Sequence, residues 1–161
     1  IASERGRIGD FEGDTVYGSV GKGYLITGID RCSRQLVAAI AKDKTAQSTN
    51  AAFISAFANA EIKAKPLTLT LDNGTEFLAF KDLERELAIK VYFADSHAPW
   101  QRGSNENING LIRFFFPRGT NFNNVTQDQL DAVVSLINNR PRKCLGFLSP
   151  NDFLKNVLHL T

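Results

Sequence analysis

Three strand-like segments occupy the first 41 residues of the chain and are separated only by short turns. The first, FEGDTVY at 11–17, alternates so that Glu12, Asp14 and Val16 face one way and Phe11 the other, which is the period of a strand. Several glycines then turn the chain, and two further strand patterns follow, YLITGID and QLVAAIA. Because short turns join antiparallel neighbours, these segments predict a three-stranded antiparallel meander.

Helices alternate with strands after the meander. Thr45 is a suitable N-cap for a helix that ends before Pro66. After that helix the sequence predicts a strand at 67–71, a helix at 75–88 and a strand at 90–94. Two further helices follow, at 103–116 and 126–139, before an irregular tail around RPRKCLGFLSP. A meander followed by such alternation predicts an α/β fold with a mixed sheet, three strands antiparallel and the last two parallel, flanked by helices.

Composition indicates one soluble globular domain over residues 1–161, with 43% hydrophobic and 22% charged residues. No apolar run approaches the roughly 20 residues of a membrane helix, and the first residues do not resemble a signal peptide, so we expect a cytoplasmic protein without a membrane partner. The chain contains no methionine and begins at Ile1, which suggests a piece of a longer protein. Cys32 and Cys144 are isolated, which argues against a zinc site or a disulfide. The net charge of +2 neither proves nor opposes a nucleic-acid partner.

Three carboxylates lie inside or at the ends of predicted strands and helices. Asp14 lies in the middle of the first strand, Asp72 directly follows the fourth, and Glu106 lies near the start of a later helix. If the first and fourth strands are neighbours, the three acids converge, and their repulsion is tolerable only when a divalent cation neutralises them. Oxygen ligands favour magnesium or manganese over zinc. Two such ions, roughly 3.5–4 Å apart, can activate a water or a 3′-hydroxyl for attack on a phosphodiester.

Each acid also has a structural explanation. Asp72 precedes Asn-Gly and can belong to a simple turn, because Asn and Gly accept positive φ. Asp14 alone can be a strand-edge residue, and Glu106 alone can favour the positive end of a helix dipole. Asp10 and Glu12 lie close to Asp14 and compete with it as the first ligand.

The segment SHAPWQRGSNENINGLIR surrounds Glu106 with amides, arginines and a histidine. A helix that begins near residue 103 places Glu106, Asn109 and Arg113 on one face, as a metal ligand, an amide and a phosphate-binding cation. We expect the opposite face to enter the core, with Ile108, Leu111, Ile112 and Phe115.

Together, FEGD, LDNGTEF and HAPWQRGSNENINGLIR resemble the catalytic core of bacterial insertion-sequence transposases, most closely the insertion sequence thirty family. They resemble the retroviral integrase core more distantly. The resemblance implies a ribonuclease-H-like fold and an Asp, Asp, Glu triad at Asp14, Asp72 and Glu106, with 33 residues between the last two. Phe11 stands where the family usually has tryptophan. The helix-turn-helix segments that precede this core in the family are absent from this sequence, so we expect no recognition of specific DNA ends here.

The resemblance implies a magnesium- or manganese-dependent DNA transposase with two metal ions and no small-molecule cofactor. Such an enzyme cleaves phosphodiesters at transposon ends and transfers the 3′-hydroxyl strand into target DNA. We expect DNA as partner, a homo-oligomer when two ends are joined, and a bacterial cytoplasmic location at the nucleoid. The alternatives are a ribonuclease-H-like nuclease without strand transfer and a catalytically inert DNA-binding or assembly module.

Further candidates surround the triad. Asn73 and His97 are expected to support the acids, although His97 can also contact the scissile phosphate or cap a strand. Phosphate contacts are expected from Arg102, Asn109, Arg113, Arg140, Arg142 and Lys143. For the NNRPRK cluster at 138–143, a solvated face explains the charges nearly as well. RFFFPRG has the composition of a base-stacking surface, but three consecutive phenylalanines at a helix end favour the core.

Overall fold

The computed structural model describes residues 7–72, 79–94 and 103–159, with side chains in the last range from Ile108 onward. The described elements are five strands, β1 (Asp10–Tyr17), β2 (Tyr24–Asp30), β3 (Leu36–Ala41), β4 (Thr68–Leu71) and β5 (Lys90–Phe93), and five α-helices, α1 (Ala46–Ala58), α2 (Phe80–Leu87), α3 (Gly103–Phe115), α4 (Gln127–Asn138) and α5 (Pro150–Val157). In the part of the chain so described, every helix is too short or too polar to cross a membrane.

The strands form one mixed sheet in the order β3-β2-β1-β4-β5. β1 pairs with β2 and β2 with β3 in antiparallel register. β4 pairs with β1, and β5 with β4, in parallel register. The predicted mixed sheet, with three antiparallel strands followed by two parallel ones, is therefore confirmed.

Hydrophobic clusters cover both faces of the sheet. Phe11 belongs to a cluster that includes Phe53 of α1, whereas Val16 belongs to another that includes Ile108 and Ile112 of α3. Alternate residues of a strand point to opposite faces, so the odd- and even-numbered residues of β1 enter different clusters. The predicted orientation of β1 follows from this alternation, with Asp14 on the face that α3 covers.

Side-chain caps begin α1 and α4, and the cap at Thr45 was predicted. The Thr45 side chain accepts a hydrogen bond from the backbone N–H of Ser48 at the start of α1. Thr126 and Gln129 form a reciprocal capping box at the start of α4. Residues 75–78 of the helix predicted over 75–88 lie outside the described residues. In the described part of the chain, this helix spans Phe80–Leu87.

The stretch RPRKCLGFLSP, predicted to be irregular, contains one 3-10 turn at Lys143–Leu145. The helix α5, which begins at Pro150, was not predicted. Ser149 caps this helix by accepting from the backbone N–H of Asp152, and Pro150 occupies its first position. Serine followed by proline, with an acid three residues after the serine, is a helix start.

The three phenylalanines at the end of α3 do not share one environment. Phe116 is 8% exposed and packs in the core, whereas Phe114 is 81% and Phe115 36% exposed. The core prediction holds for Phe116 and was wrong for Phe114 and Phe115. Residues four apart share a helix face, so Phe116 continues the buried stripe begun by Ile108 and Ile112, and its two predecessors turn away from it.

Candidate active site

The parallel pairing of β1 with β4 brings Asp14 and Asp72 to neighbouring positions. Glu12 is in register with Thr70, and Asp14 and Asp72 each lie two residues further along. Neighbouring strands are about 4.8 Å apart, and residues two apart share a face. Both carboxylates therefore belong to the face covered by α3, near the end of the sheet where β4 finishes. Both are half-buried.

Asp14 accepts hydrogen bonds from two amides. Its Oδ1 accepts from the backbone N–H of Thr15 at 2.8 Å, and its Oδ2 accepts from the Nδ2 of Asn109 at 3.1 Å. The second bond joins β1 to α3 across 95 positions of sequence. Both donors are neutral, so they orient the carboxylate without neutralising its charge.

The two acids that compete with Asp14 are engaged by arginines. Asp10 accepts from Arg7 at 2.7 Å and from the hydroxyl of Thr68 at 2.8 Å. Glu12 is buried, and its Oε1 accepts from Nε of Arg31 at 3.0 Å. Both of these carboxylates are thus paired with a guanidinium.

Charge pairing also sets the acidity of Asp10. Burial by itself raises the pKa of Asp10, but hydrogen bonds from Arg7 and Thr68 and the charges of Arg7 and Arg31 outweigh it. The pKa of Asp10 therefore lies below its ordinary value.

Glu106 lies on α3, three residues before Asn109. Residues three apart share a helix face, so the Asn109 contact with Asp14 places the backbone position of Glu106 on the face directed at β1. The Glu106 side chain lies outside the described residues, as do all atoms of Asn73, His97 and Arg102.

Arg113 lies one turn after Asn109 and is partly buried. Its Nη1 is buried, with no hydrogen-bond partner among the described residues. Burial and the nearby charge of Arg118 lower the pKa of the Arg113 guanidinium. A buried guanidinium N–H requires an acceptor, and a phosphate oxygen has the charge and geometry that suit it.

The basic cluster after α4 lies elsewhere. Arg142 donates from Nη2 to the carbonyl of Ile137 at 3.1 Å, and burial lowers its pKa, with smaller contributions that include the charge of Arg34 in the β2–β3 turn. Arg140 and Lys143 are exposed. The β2–β3 turn lies at the end of the sheet where β1 begins. The structure therefore does not bring the basic cluster to Asp14.

From the sequence, Asn109 was expected to contact DNA, and its hydrogen bond to Asp14 was not predicted. Its position three residues after Glu106, on the face assigned to the acids, was the available indication. Cys32 and Cys144 are free thiols, as predicted.

The residues present fit a divalent metal ion. Asp14 and Asp72 supply carboxylate oxygens from adjacent strands, the ligand type that magnesium and manganese prefer. Within the described residues there is no group of three histidine, cysteine, aspartate or glutamate side chains that could hold a metal. The Glu106 side chain does not belong to that part of the chain.

The sheet order and the flanking helices define a ribonuclease-H-like fold of the integrase type. Solved structures share this fold: a chain of the simian T-cell lymphotropic virus intasome has a TM-score of 0.68 at 20% identity, covering 90% of this chain and 53% of that one. The catalytic core domain of BIV integrase gives 0.68 at 17% identity, covering 94% and 96%.

The chain belongs to the integrase core domain family, which matches residues 7–99. It is 38% identical over 159 residues to the transposase for insertion sequence element IS4351 of Bacteroides fragilis, covering 99% of this chain and 48% of the relative. It is also 38% identical over 157 residues to transposase InsI for insertion sequence element IS30A of Escherichia coli (strain K12). This match covers 98% of this chain and 40% of the relative. The resemblance to the insertion sequence thirty family is thus confirmed. The chain spans less than half the length of these relatives.

Proposed function

We propose that this chain is the catalytic core domain of a DNA transposase, which cleaves phosphodiesters at the ends of a mobile element and joins the freed 3′-hydroxyl to target DNA. The observation that carries the proposal is the parallel β1–β4 register, which places Asp14 beside Asp72 in a chain of the integrase core family. The transposase names of its relatives support the same conclusion.

Asp14, Asp72 and Glu106 would together bind two metal ions, either magnesium or manganese. When bound, such ions activate the attacking water or 3′-hydroxyl and stabilise the leaving oxygen. Asn109 orients Asp14 through its hydrogen bond to Oδ2. Arg113, one turn further along α3, binds a phosphate of the DNA backbone.

Other residues extend the proposed contacts. Arg102 adds a phosphate contact, while Asn73 and His97 support the acids from the segments after β4 and β5. Arg140 and Lys143 offer a separate backbone contact away from the acids. Arg142 is assigned to the α4 end instead, because it donates to Ile137. We propose one catalytic domain over residues 1–161, working as a homo-oligomer on DNA at the bacterial nucleoid.

The test is single replacement of the acids in the full-length protein, as Asp14→Asn, Asp72→Asn and Glu106→Gln. Each change removes one negative ligand with little change in size, so we expect cleavage of an oligonucleotide carrying the element end to disappear in magnesium while the melting temperature persists. Asp82→Asn, at an exposed aspartate of α2, is the matched control and should cleave normally. Cleavage by the Asp72→Asn protein would contradict the assignment.

Strand joining is measured separately from hydrolysis with a preprocessed end and a target duplex. Joining by the unaltered protein supports a transposase. Hydrolysis without joining would instead assign a ribonuclease-H-like nuclease.

A further inference from the structure

A groove of about 450 Å³ lies at the end of the sheet where β1 finishes. Its lining comes from residues 17–21, 23 and 24 around the β1–β2 connection, and from residues 42–44 after β3. Neither segment contains a residue of the proposed active site.

An aromatic platform forms one wall of the groove. The Tyr17 ring is 39% exposed and lies 5.7 Å from the Tyr24 ring, tilted by 33°. Tyr24 is buried, and its hydroxyl shares a 2.6 Å hydrogen bond with the hydroxyl of Thr49 in α1. The exposed ring is therefore supported from below by a ring anchored in the core.

Two lysines lie beside this platform. Lys44 Nζ lies over the Tyr17 ring, 4.7 Å from its centre, and Lys42 is an exposed residue of the groove lining. Asp43 is the acid among the groove residues, and hydrogen bonds from Thr45 engage its carboxylate and lower its pKa. Two lysines and one aspartate therefore line the groove.

An exposed aliphatic side chain completes the site. Val20, at the tip of the β1–β2 connection, is fully exposed and lines the groove beside the aromatic platform. An aromatic face, a neighbouring apolar side chain and flanking lysines are the features that bind unpaired nucleotides, whose bases stack and whose phosphates are charged.

The groove is close to the proposed active site. Asp14 and Tyr17 lie three residues apart on β1, a separation of about 10 Å along a strand. They face opposite sides of the sheet, and the groove is at the end of the sheet where Asp72 follows β4. A DNA strand bound at the carboxylates would therefore have to cross this end of the sheet to contact Tyr17.

We propose that this groove binds an unpaired nucleotide of the DNA substrate. The base stacks on Tyr17 in the place where Lys44 Nζ lies in the free protein, and Lys44 turns with Lys42 to the neighbouring phosphates. The inference rests on the proposed function and adds a second DNA-binding site to it.

The charge part of the proposal is tested by DNA binding in the full-length protein carrying Asp72→Asn, which prevents cleavage. Lys42→Gln with Lys44→Gln is compared with a control pair, Lys63→Gln with Lys65→Gln, two exposed lysines before β4 at the other end of the sheet. For a single-stranded oligonucleotide, each lost phosphate contact reduces the slope of log affinity against log salt by about 0.7. We expect the groove pair to reduce the slope by about 1.4 and the control pair to leave it unchanged. Equal effects of the two pairs, or no effect of the groove pair, would overturn the proposal.

The stacking part is tested at Tyr17. Tyr17→Leu should weaken binding of the single-stranded oligonucleotide by roughly tenfold without changing the salt slope, because stacking carries no charge. Tyr17→Phe retains the ring and should bind within about twofold of the parent. If Tyr17→Leu binds as tightly as Tyr17→Phe, the base-stacking role is wrong. Melting temperatures identify a misfolded variant, in which case the lysine pair decides.

The cleavage assay keeps this inference separate from the proposed function. If the protein with Asp72 intact cleaves DNA, but the Lys42/Lys44 and Tyr17 substitutions do not change DNA binding, only the groove inference is overturned. Groove-dependent binding by a protein that never cleaves would overturn the proposed function and support the groove.

Discussion

Asn109 connects the helix that carries Glu106 to the acid of β1. Its Nδ2 donates to Asp14, while its Oδ1 is buried without a hydrogen-bond partner among the described residues. An amide in this position holds one carboxylate oxygen and adds no charge. We therefore assign Asn109 to the positioning of Asp14.

Replacing Asn109 with alanine removes the 3.1 Å bond to Asp14. A hydrogen bond to a charged group contributes about 1.5–3 kcal/mol, so we expect single-turnover cleavage to slow by roughly ten- to a hundredfold. Asn124→Ala, at an exposed amide distant from the sheet centre, is the control and should cleave at the parent rate. An Asn109→Ala protein as fast as the parent would show that Asp14 needs no such support.

The lowered pKa of Asp10 predicts the direction of a pH effect on stability. A carboxyl whose folded pKa lies below its ordinary value of 3.8 stabilises the fold above that pH, and this stabilisation is lost as pH falls through the folded value. Asp10→Asn should therefore lower the free energy of unfolding by about 1 kcal/mol near neutral pH and by progressively less in acid. Urea unfolding of both proteins across this range measures the difference. A difference that grows on acidification would contradict the pairing with Arg7 and Thr68.

At the scale of the element, β1 combines an acid with close packing. A Cβ added at Gly13 would lie 2.6 Å from Leu71 Cδ2 and 3.0 Å from Phe53 Cζ. The absence of a side chain at Gly13 lets α1 and β4 pack against the strand immediately before Asp14. Packing on one face of β1 thus sets the position of the carboxylate on the other.

Gly13→Ala should lower the free energy of unfolding by roughly 1–3 kcal/mol, because the added methyl group overpacks the core. Gly110→Ala, on α3, is the matched control: an added Cβ there meets no atom of the described residues within 4 Å, and alanine favours a helix by about 1 kcal/mol over glycine. Denaturant unfolding should show opposite signs for the two variants. Stabilisation by Gly13→Ala would disprove the close packing.

For the whole molecule, the sheet topology decides whether the acids form one metal site. Proteins that bind a ligand only when folded are stabilised by it, by about 2.7 kcal/mol at a hundredfold excess over Kd. Manganese or magnesium should therefore raise the melting temperature, and Asp72→Asn should remove most of that increase. A melting temperature that neither ion changes would instead favour the inert DNA-binding module.

The sequence by itself determined most of the elements. Strand alternation, the cap at Thr45 and the helical spacing of α3 are local properties, so the meander and the order of strands and helices up to α4 followed from them. Resemblance to known motifs also predicted Asp14, Asp72 and Glu106 as the catalytic acids. The start of α5, at Ser149 and Pro150, is equally local, although this helix was not predicted.

Only the tertiary structure decided which residues meet across long separations. The parallel β1–β4 register, the Asp14–Asn109 bond and the pairing of Glu12 with Arg31 join segments whose distance depends on how the sheet and helices pack. The same packing buried Phe116, exposed Phe114 and built a groove from Tyr17 and Lys44. Local patterns specify which face of an element is apolar, whereas a site depends on which faces finally pack together.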